Sequence, residues 1–513
     1  MTRILRGRAR RALPLAVLAL AVPVAQSLPA AAATTSTTTT TVAAATTVPA
    51  PALPFTPPAK STLRASSKKV FAHYMPNLPI SLDNQAPATD YYARNYLNPT
   101  GEGGAHAAYG GFLRDRPQTR PQVADTAWRL RDLETEVRQA ATAGVDGFSV
   151  DLLQLGDTGG QLWTNTKLLM QAASTVDPGF KIMLMPDMSS SVGGKDAATL
   201  AKSLAELAKS PSAYKLADGR LVVSPFMAEK KTVAWWTTFL NTMKTTYATP
   251  VAFWPLFVGN EQTYASSFAP ISYGMSIWGS RNPLWNNPLT TASTGPVGRA
   301  DNIQALGKKF MQPVSLQDER PRSSIYDEAE NTTNLRNTWQ IAMKSGAEHV
   351  QLTTWNDYVE GSQFAPSAKH GWSYLDINAY YLAWYKTGTA PTITRDAAYV
   401  THRTQPYAAK PSFAQTKLMA WRGGSPARDT VEALTFLTAP ATVAVTVGTK
   451  TTTCNAPAGV ATCVAPLAAG SVKVTVTRSG ASVAAVTSPH KVTTTPYVQD
   501  LQYVAASSLR PAA

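Results

Sequence analysis

The sequence predicts an α/β fold, a (β/α)8 TIM barrel, followed by a C-terminal antiparallel β-sandwich. Three observations point there. Between Lys69 and Trp384, short continuous apolar runs recur with helical segments between many of them, as expected of strands buried on both faces of a parallel sheet. Most of these runs end in a polar or aromatic residue, and in a barrel those ends converge on one rim. After Gly388 the composition shifts to Thr, Val and Ala with two-residue alternation, the period of half-buried antiparallel strands.

The chain of 513 residues begins outside this fold. Met1 to Arg11 carries five arginines, Leu13 to Val24 is a short apolar run, and Ala30 to Ala33 offers small residues for cleavage. That pattern predicts a secretory signal peptide over 1–33, too short for a membrane span. Residues 34–65 are rich in Thr, Ala and Pro and predict a disordered linker. The barrel is expected over 66–388 and the sandwich over 389–513. The mature protein is expected to be secreted and monomeric, with no membrane association.

Eight strands are expected in order: Val70 to Met75, Asp146 to Leu152, Lys181 to Met188, Leu221 to Met227, Val251 to Val258, Tyr273 to Trp278, Phe310 to Gln317 and His349 to Asp357. Trp128 to Ala143 sets Leu130, Leu133, Val137 and Ala140 on one helical stripe, stopped by Gly144. Ala197 to Lys209 repeats the pattern, and Asn334 to Lys344 precedes the last strand. Asn77 to Asp125 and Asn286 to Ala300 are long insertions on the rim side, where long loops are usually functional or disordered. In the C-terminal part, Cys454 and Cys463 are the two cysteines and are expected to pair in an oxidising compartment. Closing so short a loop contributes roughly 2–3 kcal/mol. A metal site is not expected from two thiols and scattered histidines.

Net charge is +15, but the leader holds five of those positives and the rest are dispersed. Nucleic-acid binding is not expected.

The chemistry concentrates in Trp355-Asn356-Asp357-Tyr358-Val359-Glu360. Ionised carboxylates are costly to bury unpaired, so this strand must emerge at a mouth. Two carboxylates beside an aromatic platform suit glycosidic bond cleavage, where one group protonates the leaving oxygen and the other activates water or attacks carbon. Asp357 and Glu360 are the candidate catalytic pair, Glu360 as general acid and Asp357 as general base, with the reverse open. Asp151 and Asp187 end the second and third strands, to bind sugar hydroxyls, replace Glu360 or cap helices. His73 and Tyr74 end the first strand, where a His can donate to a hydroxyl or tune a carboxylate. Trp254, Trp278 and Trp355 offer rings for pyranose faces. Asn356, Tyr358 and Gln317 complete the expected substrate contacts. Glu328 and Glu330 are expected in solvent, and Asn331-Thr332-Thr333 matches a glycosylation sequon.

Several stretches resemble glycoside hydrolase family 71, the α-1,3-glucanases or mutanases. They are Val70-Phe71-Ala72-His73-Tyr74-Met75, Gly144-Val145-Asp146-Gly147-Phe148, Pro186-Asp187-Met188, Asp218-Gly219-Arg220 with Val223-Ser224-Pro225-Phe226, and Thr354-Trp355-Asn356-Asp357-Tyr358. The last is the specific one. The resemblance implies a barrel followed by a sandwich, endo-acting hydrolysis of α-1,3-glucan with inversion, catalysis by Asp357 and Glu360, and no cofactor. Val359 stands where the family has Gly. Val does not readily take positive φ, so a different turn, with Glu360 turned elsewhere, is the expected cost. Two other readings stay open: a non-catalytic glycan-binding surface protein on a barrel scaffold, and a barrel glycosidase on another glycan such as an α-mannoside.

Overall fold

The computed structural model describes residues 48–49, 52–259, 261–292 and 295–510. The expected leader, and the expected linker as far as residue 47, lie outside these residues. The end of that linker is not a free stalk. Leu53 and Phe55 are buried, and Lys60–Ala65 is helical. Apolar side chains at these two positions outweigh the polar character of the stretch as a whole.

All eight expected strands meet a strand in one parallel sheet. Its order is Val251–Phe253, Leu221–Val223, Lys181–Pro186, Gly147–Leu152, Lys69–Tyr74, His349–Thr353, Lys309–Ser315, Gly274–Ile277 and Leu256–Phe257. Every pairing in it is parallel. Nine segments replace eight because Pro255 interrupts the fifth, having no N–H for the ladder. Val251–Phe253 pairs at one end of the order and Leu256–Phe257 at the other. Between them the Trp254 N–H donates to the Val223 carbonyl at 2.8 Å, and the Pro255 carbonyl accepts from Ser276 at 2.9 Å.

Side chains from alternate strand positions fill the concave side. Phe71, Met183, Val222, Ala252, Trp254 and Met311 form one buried cluster. Glycine makes room there: a Cβ on Gly274 would lie 2.6 Å from the Trp254 ring, and one on Gly147 would lie 1.9 Å from the Lys181 carbonyl. The opposite faces of the strands pack on helices. In Trp128–Thr142, Leu133, Val137 and Ala140 are buried and Leu130 packs beside them. In Ala197–Leu207, Leu200, Leu204 and Leu207 are buried, and Asp196 caps the start by accepting from the Thr199 N–H. Asp146, at the entrance of the second strand, accepts from Val70 N–H and pairs with Lys386. It lies away from the strand ends that carry the site.

The C-terminal part forms two four-stranded antiparallel sheets. Val443, Val445, Val474 and Val476 of one share a core with Val431, Ala433 and Ala465 of the other. Cys454 and Cys463 form a disulfide between the two sheets. These sheets make polar contacts with the segment that follows the Lys309–Ser315 strand. Glu328 is fully buried against Arg403 and accepts from the Tyr503 hydroxyl at 2.6 Å. It is thus paired where solvent was expected. Asn331 is also buried, its amide donating to the Thr401 carbonyl at 2.9 Å, so the acceptor side chain of the sequon is not accessible.

Candidate active site

The last strand ends at Thr353, four residues before Asp357. Asn356 then pins the chain to the end of the first strand. Its Oδ1 accepts from Met75 N–H at 2.7 Å, and its Nδ2 donates to the Met75 and Leu78 carbonyls at 2.9 and 3.0 Å. Asp357 organises the next turn. Its Oδ1 accepts the N–H groups of Val359 at 2.9 Å and Glu360 at 3.1 Å, a side-chain mimic of a backbone turn. The left-handed position falls on Gly361, at φ 62°, and not on Val359. The turn therefore tolerates Val, and Glu360 is not turned away. Asp357 and Glu360 line one cleft of about 250 Å³ together with Asp151, Asp187 and Trp278.

This cleft crowds four carboxyl groups. Burial pushes Glu360 up to about 7; repulsion from Asp318 and Asp357 adds to this, against the pull of Arg281 and Arg320. Arg281 Nη2 lies 3.2 Å from Glu360 Oε2, and Arg320 Nη1 lies 2.9 Å from Oε1. Asp357 is raised by burial, with the Glu360 N–H and Arg320 opposing. Asp151 is raised well above the usual range by burial and then by the charges of Asp187 and Asp357, and its buried Oδ1 has no hydrogen-bond partner. Asp187 instead accepts from the N–H and hydroxyl of Ser189, both at 2.6 Å. One site thus holds Asp151, raised well above the usual carboxyl range, beside Glu360, raised to about 7. Carboxyls whose proton affinities are pushed apart by their surroundings are what acid–base chemistry uses.

The expected substrate contacts divide. Asp151, Asp187 and Trp278 line the cleft. His73 supports it from below: its Nε2 lies 2.8 Å from Gln351 Oε1, its ring centroid lies 4.7 Å from that of Trp278, and burial lowers its pKa to about 3. Tyr74 and Trp355 do not line the cleft. Both are buried toward the helix layer, donating to the Glu136 carboxyl at 2.7 and 3.3 Å. Trp254 is wholly buried in the concave cluster and donates to the Met275 carbonyl. Tyr358 packs with Leu78, Tyr92 and Leu113 under the first long loop. Gln317 brackets Tyr503, accepting from its N–H at 2.8 Å and donating to its carbonyl at 3.4 Å. Asn356 acts on the backbone. Strand alternation explains the division between His73 and Tyr74, since neighbours on the strand Lys69–Tyr74 must face opposite sides. Arg281 escaped the sequence reading. Its signal was a lone cation three residues past Trp278, on the same rim.

Residues 123–507 match glycosyl hydrolase family 71. The chain is 24% identical over 393 residues to glucan endo-1,3-alpha-glucosidase agn1 of Schizosaccharomyces pombe, covering 71% of this chain and 88% of that protein. Among solved structures it is similar to the GH99 endo-alpha-mannosidase from Bacteroides thetaiotaomicron, at 16% identity and TM-score 0.47, over 62% of this chain and 97% of that one. It is also similar to a glycosyl hydrolase family 2 member from Bacteroides cellulosilyticus, at 11% identity and TM-score 0.39, over 70% of this chain and 43% of that one.

Proposed function

The chain belongs to glycosyl hydrolase family 71 and is a glycoside hydrolase, and from that premise we propose that it is a secreted enzyme cleaving α-1,3-glucan within the chain, with inversion. The observation that carries this reading is the shared cleft of Asp357 and Glu360 at the C-terminal ends of the parallel strands. The name of the yeast relative supports the linkage and the endo action. The pattern of residues 1–33 supports export. The sheet closes into an eight-staved barrel, the interrupted segment 251–257 serving as one stave bonded on both sides.

In this mechanism Glu360, raised to about 7, keeps its proton near neutrality and gives it to the glycosidic oxygen. Asp357 uses Oδ1 to hold its own turn. Its Oδ2 takes the proton of a water attacking the anomeric carbon from the opposite face. Asp151, held neutral, donates a hydrogen bond to a sugar hydroxyl. Trp278 supplies an apolar wall for one ring.

The test is incubation of the secreted protein with insoluble α-1,3-glucan, with the product anomer followed by proton NMR. Soluble oligosaccharides of inverted configuration are expected. Release from an α-mannan but not from the glucan would overturn the substrate, and retained configuration would overturn the mechanism.

A further inference from the structure

A second recess adjoins the carboxylate cleft. It has a volume of about 430 Å³ and lies where the chain leaves Leu256–Phe257 and Gly274–Ile277. It therefore opens at the same end of the sheet as the catalytic carboxylates. Trp278 lines both spaces. Past it, the recess is walled by Trp285 from the insertion after the Gly274–Ile277 strand.

Trp285 is 47% exposed, unlike the buried indoles of Trp236, Trp254, Trp339 and Trp355. Yet the segment that carries it is firmly held. Asn282 is fully buried; its Nδ2 donates to the Gly423 carbonyl at 3.1 Å, and its Oδ1 accepts from Leu284 at 3.0 Å and Ser425 at 2.8 Å. Asn286 is buried as well and donates to Asn334 Oδ1 at 2.8 Å. Gly423 passes close to the edge of the ring: a Cβ there would meet Trp285 at 3.9 Å, an ordinary contact distance. The remaining lining mixes apolar Phe257, Val258 and Ile277 with polar groups, among them Ser280 and the Glu261–Arg299 ion pair at 3.0 Å. A pre-positioned indole beside hydroxyl and charged groups matches a sugar ring, which has an apolar C–H face and a polar edge. Continuity through Trp278 makes a farther stretch of the same chain the fitting occupant.

We propose that this recess is a further glycan subsite, in which Trp285 stacks on a glucosyl ring beyond those held at Asp357 and Glu360. The inference rests on the reading above that the substrate is an α-1,3-glucan. The test uses the intact enzyme and α-1,3-linked gluco-oligosaccharides of increasing length. The ratio of KM in Trp285→Ala to KM in the wild type should rise with length, to about tenfold for the longest chains, and Trp285→Tyr should restore most of the loss. Leu289→Ala, at an exposed position of the same segment, should show no such trend. A ratio that stays flat with length while the wild type cleaves the series overturns the subsite alone. The same trend in Leu289→Ala overturns the stacking role. A wild type that cleaves none of the series overturns the substrate reading and this inference with it.

Discussion

Arg320 holds Glu360 and Asp318 at once. Its Nη1 lies 2.9 Å from Glu360 Oε1, while its Nε and Nη2 chelate Asp318 at 2.7 and 2.6 Å. Asp318 also accepts from Arg422, which in turn pairs with Asp327. A chain of alternating charges thus runs from the C-terminal part of the molecule to the proposed acid. It fixes the position of Glu360 and tunes its proton affinity, because Arg320 lowers the pKa of Glu360 and Asp318 raises it.

The pH profile should report this chain. With Glu360 as acid, kcat/KM falls as pH rises through about 7. Arg320→Ala removes a cation that favours the carboxylate and leaves Asp318 less compensated. Both effects raise the Glu360 pKa, so the basic limb moves to higher pH. Arg320→Lys should move it less. A basic limb unchanged in Arg320→Ala would remove Glu360 from the acid role.

Asp357→Asn separates folding from chemistry. Asn keeps an Oδ1 that can accept the Val359 and Glu360 N–H groups, so the turn should persist. It cannot take a proton from water. Turnover should drop by about 10²–10⁴-fold with the thermal midpoint close to wild type. Reducing sugar released from α-1,3-glucan at the wild-type rate would exclude Asp357 as base.

Period and composition made the scaffold legible. Apolar runs such as Val70-Phe71-Ala72 are strands because nothing else buries them on two sides, and each expected run found its place in the parallel sheet. Facing was less legible. His73 and Tyr74 both stand at a strand end, but one supports Trp278 and the other reaches Glu136. Deciding which requires the register of the sheet, which a single sequence does not carry. Long-range pairing was hidden for the same reason. Glu328 is charged and follows a loop, so solvent was the expectation, until Arg403 arrived from 75 residues away. That Asp357 and Glu360 reach one cleft was legible because two carboxylates soon after a buried apolar strand are costly to bury unpaired.

Glu136 should make stability fall with rising pH. It is buried, joined to Tyr74 and Trp355, and pushed up from 4.5 to about 8, chiefly by desolvation. The native state then keeps a proton that the unfolded chain has released. Its contribution is complete below pH 4.5 and is lost as pH climbs to about 8. The loss is on the order of a few kcal/mol. Glu136→Gln mimics the neutral carboxyl, so urea unfolding should show a smaller decline between pH 5 and 8 than in the wild type. Parallel declines would place the responsible group elsewhere.

The arm before the first strand should contribute measurable stability. Phe55 is 3% exposed, meets the Tyr380 ring edge-on at 5.5 Å, and bridges to Ile393 where the antiparallel sheets begin. The neighbouring Leu53 carbonyl accepts from Arg395 Nε at 2.6 Å. The arm thus ties the helix Ser373–Thr387 to the C-terminal part. Phe55→Ala opens a cavity at that junction and should cost about 3 kcal/mol in denaturant unfolding. A chain shortened to begin at Lys60 should lose at least as much, since it gives up the Arg395 hydrogen bond as well. An unchanged unfolding midpoint in the shortened chain would mean that residues 52–59 only rest on the surface, and the burial of Leu53 and Phe55 argues against that.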